Sequence, residues 1–158
     1  MEKDKNVARK TTLCYIEKDD CYLMLYRNKK EEDANQGKWI GVGGKVEEGE
    51  SFEQCVMREV FEETGLTLTE YSFKGIVQFE SDVYENESMA LYVGHQFTGS
   101  LLENCNEGTL KWIPKNQILD LNLWEGDRIF LKDLLENKQS VNMTLVYQGD
   151  KLVECVRE

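Results

Sequence analysis

Three glutamates recur at spacings of three and four residues in the stretch 43–66: Glu59, Glu62 and Glu63. In a helix this spacing brings side chains to one face, because such residues lie about one turn apart. Three carboxylates so close together repel one another, and the negative end of the helix dipole adds to the repulsion. A divalent cation would neutralise them, and hard oxygen ligands favour Mg²⁺ or Mn²⁺ over zinc. A solvated acidic face is the alternative, since glutamate-rich helices are common.

The helix that must position these glutamates has recognisable ends. Ser51 is a suitable N-cap residue, and Gly65 is a suitable C′ residue. No glycine or proline lies between them. At about 100° per residue, four apolar side chains share one broad arc that we expect to pack on the core. These residues are Val56, Met57, Val60 and Phe61.

A glycine pair precedes this helix. Gly43 and Gly44 permit a sharp turn in which the backbone approaches a ligand closely. Lys45 follows at once and is placed to meet a phosphate oxygen. We also expect an ion pair between Glu50 and Arg58, which would tie this loop to the helix.

The glycine-rich segment matches two other phosphate-binding motifs only in part. A P-loop requires Ser or Thr after the lysine, and Val46 stands there. A dinucleotide-binding fingerprint that begins at Gly41 requires a final glycine at position 46, which is also Val46. Neither motif is therefore a good explanation of the segment.

Composition limits the classes of function. The chain has 158 residues, 41% of them hydrophobic, so we expect a single domain, 1–158, with a sizeable core. Its net charge of −11 disfavours a grip on long nucleic acid but not on a small nucleotide with a metal ion. No apolar run is long enough to span a membrane. Five cysteines without CxxC spacing, and no signal peptide, predict reduced thiols in the cytoplasm.

The pattern of apolar residues and turn residues predicts a sheet with two helices. Strands are expected at 11–17, 21–27, 39–43, 71–81, 89–97, 110–113, 141–147 and 152–156, with 82–87 as a turn. The second helix is expected at 124–135, so the class is α/β or α+β with a mixed sheet. Arg27, Lys29 and Lys30 form a basic cluster that either steers a polyphosphate or is simply solvated. His95, the one histidine, lies in a strand and is expected to be structural.

Gly44, Glu50 and the run from Arg58 to Leu66 match every defined position of the Nudix box. Through this box and most of its length the chain resembles the Nudix hydrolases, and within them the MutT branch that acts on oxidised purine nucleotides. The resemblance implies an α/β/α sandwich with a mixed sheet. It also implies Mg²⁺-dependent hydrolysis of a nucleoside triphosphate, such as 8-oxo-dGTP, to the monophosphate and pyrophosphate.

The resemblance assigns roles around the phosphates. It makes Glu59, Glu62, Glu63 and the carbonyl of Gly43 metal ligands, and Glu107 an additional carboxylate that serves as ligand or base. Lys45 corresponds to a phosphate contact, and Arg58 and Glu50 belong to the catalytic box. Which carboxylate is the general base stays open.

The resemblance also implies a base pocket. Trp124 corresponds to an aromatic residue that stacks on the purine, and Asp127 to one of two acidic residues that recognise its edge. Two positions depart from the mammalian pattern, because Gly126 replaces the second acidic residue and Ile40 stands where an asparagine contacts the base. Candidate wall residues are Thr12, Phe79 and Met89.

Two other functions remain open from the sequence. The chain could hydrolyse other nucleoside diphosphate derivatives, or it could be a non-catalytic nucleotide-sensing module. In every case the expected partner is a small nucleotide, with no long nucleic acid and no membrane. Monomer and homodimer are both compatible with the sequence.

Overall fold

The computed structural model describes residues 8–29, 33–103 and 105–158. This part of the chain forms eight β-strands, two α-helices and one 3-10 helix. The strands are β1 (Arg9–Lys18), β2 (Cys21–Tyr26), β3 (Trp39–Ile40), β4 (Leu66–Ser81), β5 (Glu87–Gly99), β6 (Thr109–Pro114), β7 (Met143–Gln148) and β8 (Lys151–Arg157). The helices are α1 (Phe52–Thr64), α2 (Glu125–Leu135) and the 3-10 helix Lys115–Asp120.

The strands form one mixed sheet in the order β3-β2-β1-β5-β4-β7-β8, and β6 pairs with β2. Strand β1 runs parallel to β5, and β4 runs parallel to β7. The remaining pairs, including the long β4–β5 hairpin, are antiparallel. In this order both parallel pairs, β1–β5 and β4–β7, lie in the interior of the sheet and not at its edges.

The two faces of the sheet carry separate hydrophobic clusters, because successive side chains of a strand point to opposite faces. On β1, Leu13 and Tyr15 belong to the cluster beneath α2, which includes Phe130. The intervening Cys14 and Ile16 belong to the cluster beneath α1. The expected α/β class, with helices on both sides of a mixed sheet, is therefore confirmed.

Helix α1 begins and ends where the sequence predicts. The Ser51 hydroxyl accepts a hydrogen bond from the Gln54 amide at 3.0 Å, and the Gln54 side chain accepts one from the Ser51 amide at 2.9 Å. This reciprocal capping box satisfies two amides that the helix leaves unpaired. Gly65 ends the helix in the left-handed conformation, with φ of 81°.

The expected core position of Phe61 is wrong, because its side chain is 58% exposed. The buried face of α1 runs through Cys55, Val56, Val60 and Thr64. Phe61 is turned by about 100° from Val60, which is enough to bring it out of this face. Met57 is partly buried at the edge of the same face.

Most predicted strands are confirmed, and the differences lie at their ends. Strand β4 starts at Leu66 rather than at residue 71, because Leu66 to Glu70 already pair with the end of β5. Strand β5 starts at Glu87, which the sequence assigned to the turn, since Glu87 pairs with Arg9 on one side and Phe79 on the other. Within 39–43, only Trp39–Ile40 forms a strand. The 3-10 helix was not predicted.

The single histidine joins three strands. Its Nδ1 lies 2.6 Å from a carboxylate oxygen of Glu17, and its Nε2 lies 2.7 Å from the Ser72 hydroxyl. Lys115 donates to the other oxygen of Glu17 at 2.8 Å. These contacts link β1, β4, β5 and the start of the 3-10 helix, which agrees with the structural role expected for His95.

All five cysteine thiols are free. Within the described residues, neither length nor hydropathy of any helix is sufficient to cross a membrane.

Candidate active site

Two of the three glutamates meet the glycine turn. The Glu63 side chain is 8% exposed, and one of its carboxylate oxygens accepts a hydrogen bond from the Gly43 amide at 3.1 Å. Burial, and after it the charges of the nearby Glu59 and Glu107 carboxylates, raise the pKa of Glu63 to about 8. Burial also raises the pKa of Glu59. The turn and the helix thus hold two carboxyl groups in a place that disfavours their negative charge.

Both glycines of the turn are required by close approach. A Cβ atom at Gly44 would lie 2.5 Å from a carboxylate oxygen of Glu59. At Gly43, a Cβ atom would overlap the backbone carbonyl of Thr12 on β1. The turn is therefore packed between β1 and α1 with no space for a side chain, which sets the distance between the turn and the glutamates.

Arg58 is the cation at the centre of this site. It binds Glu50 through two hydrogen bonds of 2.7 and 2.9 Å, so the predicted ion pair is confirmed. Its Nη1 also donates to Glu59 at 2.6 Å and to Glu62 at 3.2 Å. Its Nη2 donates to the Lys45 carbonyl at 3.2 Å. The guanidinium thereby fixes the loop on α1, and its hydrogen bonds lower the pKa of Glu50 to about 2.

The third glutamate is arranged differently from the other two. The Glu62 side chain is 57% exposed and is held by Arg58. Accordingly, the described residues contain no group of three His, Cys, Asp or Glu side chains placed to hold a metal ion. The pair of partly buried Glu59 and buried Glu63 still suits a hard divalent cation, because such an ion relieves the repulsion and the loss of hydration that oppose their ionisation.

Glu107 approaches the pair from the loop before β6. It forms an ion pair of 3.2 Å with Arg27, and Arg27 also donates to Asp33 at 2.6 Å. Its charge is one of the causes of the raised Glu63 pKa, so the two carboxyls lie close enough for their charges to interact. Of the basic cluster, Arg27 is therefore part of the site, Lys29 donates to the Cys105 carbonyl at 2.7 Å, and Lys30 lies outside the described residues.

A cleft of about 570 Å³ opens beside the glycine turn. The cleft is lined by the glycine turn and the lysine after it, Gly43, Gly44 and Lys45. Trp124 and Asp127 of the α2 region line it as well. The structure places all six residues expected to bind substrate on this one cleft: Thr12, Lys45, Phe79, Met89, Trp124 and Asp127.

The Trp124 indole is held in place from several sides. Its Nε1 donates a hydrogen bond of 2.7 Å to the Asn35 side chain. The rings of Tyr147 and Tyr84 meet it edge-on, at centroid distances of 5.5 and 6.4 Å. The Lys38 ammonium lies 5.1 Å from the ring centroid. A large aromatic surface is thus fixed at the edge of the cleft.

Asp127 is a nearly buried carboxyl that has no hydrogen-bond partner among the described residues. It is 6% exposed and lines the cleft, and none of the described residues forms a hydrogen bond with it. Burial, and after it the charge of Glu87, raise the pKa of Asp127 to about 7, while the charge of Lys38 opposes the shift. A buried polar group usually has a partner, so this carboxyl is available to a ligand.

The comparisons with known proteins decide the family. The model of the NUDIX domain matches residues 8–134. This chain belongs to the Nudix family.

Its similarity to other Nudix proteins extends over most of its length. It is 30% identical to the uncharacterised Nudix hydrolase YvcI of Bacillus subtilis, over 88% of this chain and 87% of that protein. It is 30% identical to an oxidised purine nucleoside triphosphate hydrolase of Danio rerio, over 79% of this chain and 80% of that protein. The crystal structure of a MutT protein from Bacillus halodurans superposes with a TM-score of 0.85 at 27% identity, covering 95% of this chain and 97% of that one. The chain is a MutT-like Nudix hydrolase.

The Nudix site contains residues that the sequence did not single out. Asn35, Tyr147, Arg9 and Glu87 all line the cleft. They come from a loop and from strand ends that are far apart in the sequence and carry no shared motif. The sequence did not select Glu87 because it assigned this residue to a turn. Once β5 is extended to this residue, the period of two along the strand places Glu87 on the face of Met89, which the sequence did select.

Gly126, which stands in place of the second acidic residue, is closely surrounded by other side chains. The Gly126 amide donates a hydrogen bond of 2.7 Å to the Tyr147 hydroxyl. A Cβ atom at Gly126 would lie 2.8 Å from that hydroxyl and 2.6 Å from Leu145. The side chains of Tyr147 and Leu145 would therefore have to shift to admit a side chain at position 126.

Proposed function

We propose that this Nudix hydrolase cleaves nucleoside triphosphates that carry an oxidised purine, 8-oxo-dGTP foremost, to the monophosphate and pyrophosphate. The observation that supports this most is the position of Asp127. A nearly buried carboxyl with no hydrogen-bond partner among the described residues lies on the same cleft as the glycine turn, which packs against Glu59 and Glu63. One end of the cleft is thus suited to phosphates and the other to a polar heterocycle.

The acidic end needs a cation before it can hold a polyphosphate. We expect Mg²⁺, with Mn²⁺ as a substitute, to be bound by Glu59, Glu62, Glu63 and the Gly43 carbonyl, with Glu107 as a further ligand. When bound, the ion would neutralise phosphate charge and stabilise the charge that develops during transfer. Glu62 would have to leave Arg58 to join this set.

The remaining groups at this end act directly on the substrate or hold those that do. The exposed Lys45 ammonium would contact a phosphate oxygen from the rim of the cleft. A carboxylate among Glu59, Glu63 and Glu107 would accept the proton of the attacking water. Arg58 would orient the box, because its two hydrogen bonds with Glu50 fix the loop while a third reaches Glu59.

The other end would bind the base. Trp124 offers a fixed aromatic face for stacking, and Asp127, with its pKa raised to about 7, can donate a hydrogen bond to a base carbonyl. Thr12, Phe79 and Met89 complete the wall. The name of the Danio rerio relative, an oxidised purine nucleoside triphosphate hydrolase, supports the same class of substrate.

A substrate panel tests the proposal. Purified protein with Mg²⁺ would be incubated separately with 8-oxo-dGTP, dGTP and a nucleotide sugar, and the products separated by anion exchange. We expect 8-oxo-dGMP and pyrophosphate, with kcat/KM for 8-oxo-dGTP about tenfold or more above that for dGTP, equivalent to about 1.4 kcal/mol. If 8-oxo-dGTP reacts no faster than dGTP, the preference for oxidised purines is wrong.

Two other outcomes would change the function itself. Preferred cleavage of the nucleotide sugar would indicate a hydrolase of other nucleoside diphosphate derivatives. Tight nucleotide binding with no turnover of any compound would indicate a sensing module. Either result would leave the fold assignment intact and overturn the proposed reaction.

A further inference from the structure

We propose that Glu87 determines base specificity by accepting hydrogen bonds from the two adjacent N–H donors, N1–H and N2–H₂, of a guanine-type base. This inference rests on the proposed function, because it concerns the base end of the same cleft. Glu87, on β5, would supply the carboxylate that is absent at Gly126 on α2.

The position of Glu87 follows from the register of the sheet. Glu87 lies opposite Arg9 of β1 and opposite Phe79 of β4. All three residues line the cleft, and so does Met89, two residues further along β5. The Glu87 side chain is 26% exposed, which is partial access of the kind that a ligand contact requires.

The state of Glu87 suits an acceptor. Arg9 forms an ion pair with one carboxylate oxygen at 2.5 Å, and Thr11 donates to the other oxygen at 3.2 Å. Each oxygen has two lone pairs, so both retain acceptor capacity for a ligand. The two protein contacts also fix the orientation of the carboxylate before a ligand arrives.

Glu87 and Asp127 lie close enough to interact through their charges, since Glu87 is the neighbour whose charge most raises the pKa of Asp127. The pair therefore combines an acceptor held in place by Arg9 and Thr11 with a carboxyl that can donate. Guanine offers a matching edge, with the 6-carbonyl as acceptor beside N1–H and N2–H₂ as donors. Adenine has one donor group flanked by acceptor nitrogens, which would repel the Glu87 carboxylate.

Deoxyinosine triphosphate isolates the proposed contact, because hypoxanthine keeps the 6-carbonyl and N1–H of guanine but lacks the N2 amine. The experiment measures kcat/KM for dGTP, dITP and dATP with wild-type protein, Glu87→Gln and Glu70→Gln. Glu70 is an exposed residue of β4 that does not line the cleft, so Glu70→Gln is a matched control. Melting temperatures check that each variant is folded.

We expect wild type to favour dGTP over dITP by about tenfold or more, the effect of one hydrogen bond to a charged group. Glu87→Gln should reduce this ratio to near one and narrow the gap to dATP, while Glu70→Gln retains it. If Glu87→Gln does not fold, Glu87→Asp serves instead, and its shorter side chain should lower the ratio partially.

Two results would overturn the inference and leave the proposed function standing. One is hydrolysis of all three nucleotides by wild type with equal kcat/KM. The other is an unchanged dGTP to dITP ratio in a folded Glu87 variant. Absence of hydrolysis of these nucleotides and of 8-oxo-dGTP would instead overturn the proposed function, and the inference with it.

Discussion

Individual residues of this site are held in states that they would not adopt in water. Glu63 is buried against Glu59 and Gly43. Asp127 is buried and has no hydrogen-bond partner in the part of the chain that the structure describes. Both groups have raised pKa values, chiefly because burial disfavours the charged carboxylate. Such groups are costly in a protein that has no use for them.

Replacement of Gly44 tests how closely the turn approaches the glutamates. In Gly44→Ala, the new methyl group would press on the Glu59 carboxylate, which is the movable end of a side chain. We expect stability to change by less than about 1 kcal/mol and turnover to fall. In Gly43→Ala the methyl group meets the β1 backbone, so we expect a loss of about 1–3 kcal/mol or more. Urea unfolding and turnover assays of both variants would show this contrast; equal losses of stability would contradict it.

Asp127 gives a pH-dependent prediction. Its folded pKa of about 7 lies above the unfolded value of 3.8, so its neutral form favours the folded state at low pH. That contribution is lost as the pH rises to about 7. We expect Asp127→Asn to be more stable than wild type at pH 8, by about 1–3 kcal/mol, and equal to it below about pH 4. A difference that does not depend on pH, measured by unfolding at both values, would contradict the burial of a carboxyl here.

At the scale of elements, α1 is the part that sequence specifies best. Its cap, its end, the Glu50–Arg58 pair and the burial of Val56 and Val60 all follow from local rules. The exposure of Phe61 does not, because the apolar arc is broader than the groove that β1 and β4 provide. Glu62 was likewise expected beside its neighbours, but an intrahelical bond to Arg58 holds it outward.

The cap of α1 has a measurable effect on stability. Ser51→Ala removes the hydrogen bond to the Gln54 amide and breaks the capping box. We expect a loss of about 0.5–2 kcal/mol. Ser140→Ala is the control, since Ser140 is exposed and outside any strand or helix. Thermal unfolding of the two variants should separate them by several degrees; the same melting temperature for both would mean that the cap does not stabilise the protein.

At the scale of the whole molecule, the site joins regions that are far apart in sequence. The glycine turn, α1 and the loop with Glu107 carry the acidic residues, while residues of β1, β4, β5 and α2 line the cleft beside the turn. The sequence predicted the turn and α1 through a motif of fixed spacing, and Glu107 through the family resemblance. Asn35, Glu87 and Tyr147 could not be found in this way, because only the sheet register and the packing of α2 bring them together.

Mg²⁺ should stabilise the whole protein by mass action, since it binds the folded state and relieves the repulsion between Glu59 and Glu63. At a Mg²⁺ concentration of 100 times Kd we expect about 2.7 kcal/mol of added stability. For a chain of this size that corresponds to roughly 5–10 °C in melting temperature. Calorimetric scans with Mg²⁺ and with an equal ionic strength of NaCl would measure it. No difference between the two salts would contradict a metal site.

The central claim is that the glutamates of α1 act on a phosphate chain through a divalent cation. Pyrophosphate release from 8-oxo-dGTP by Glu63→Gln, at saturating Mg²⁺, tests it most directly. We expect turnover about 100-fold or more below wild type, with the fold retained and with Glu70→Gln unaffected. A folded Glu63→Gln variant that turns over at the wild-type rate would contradict the claim.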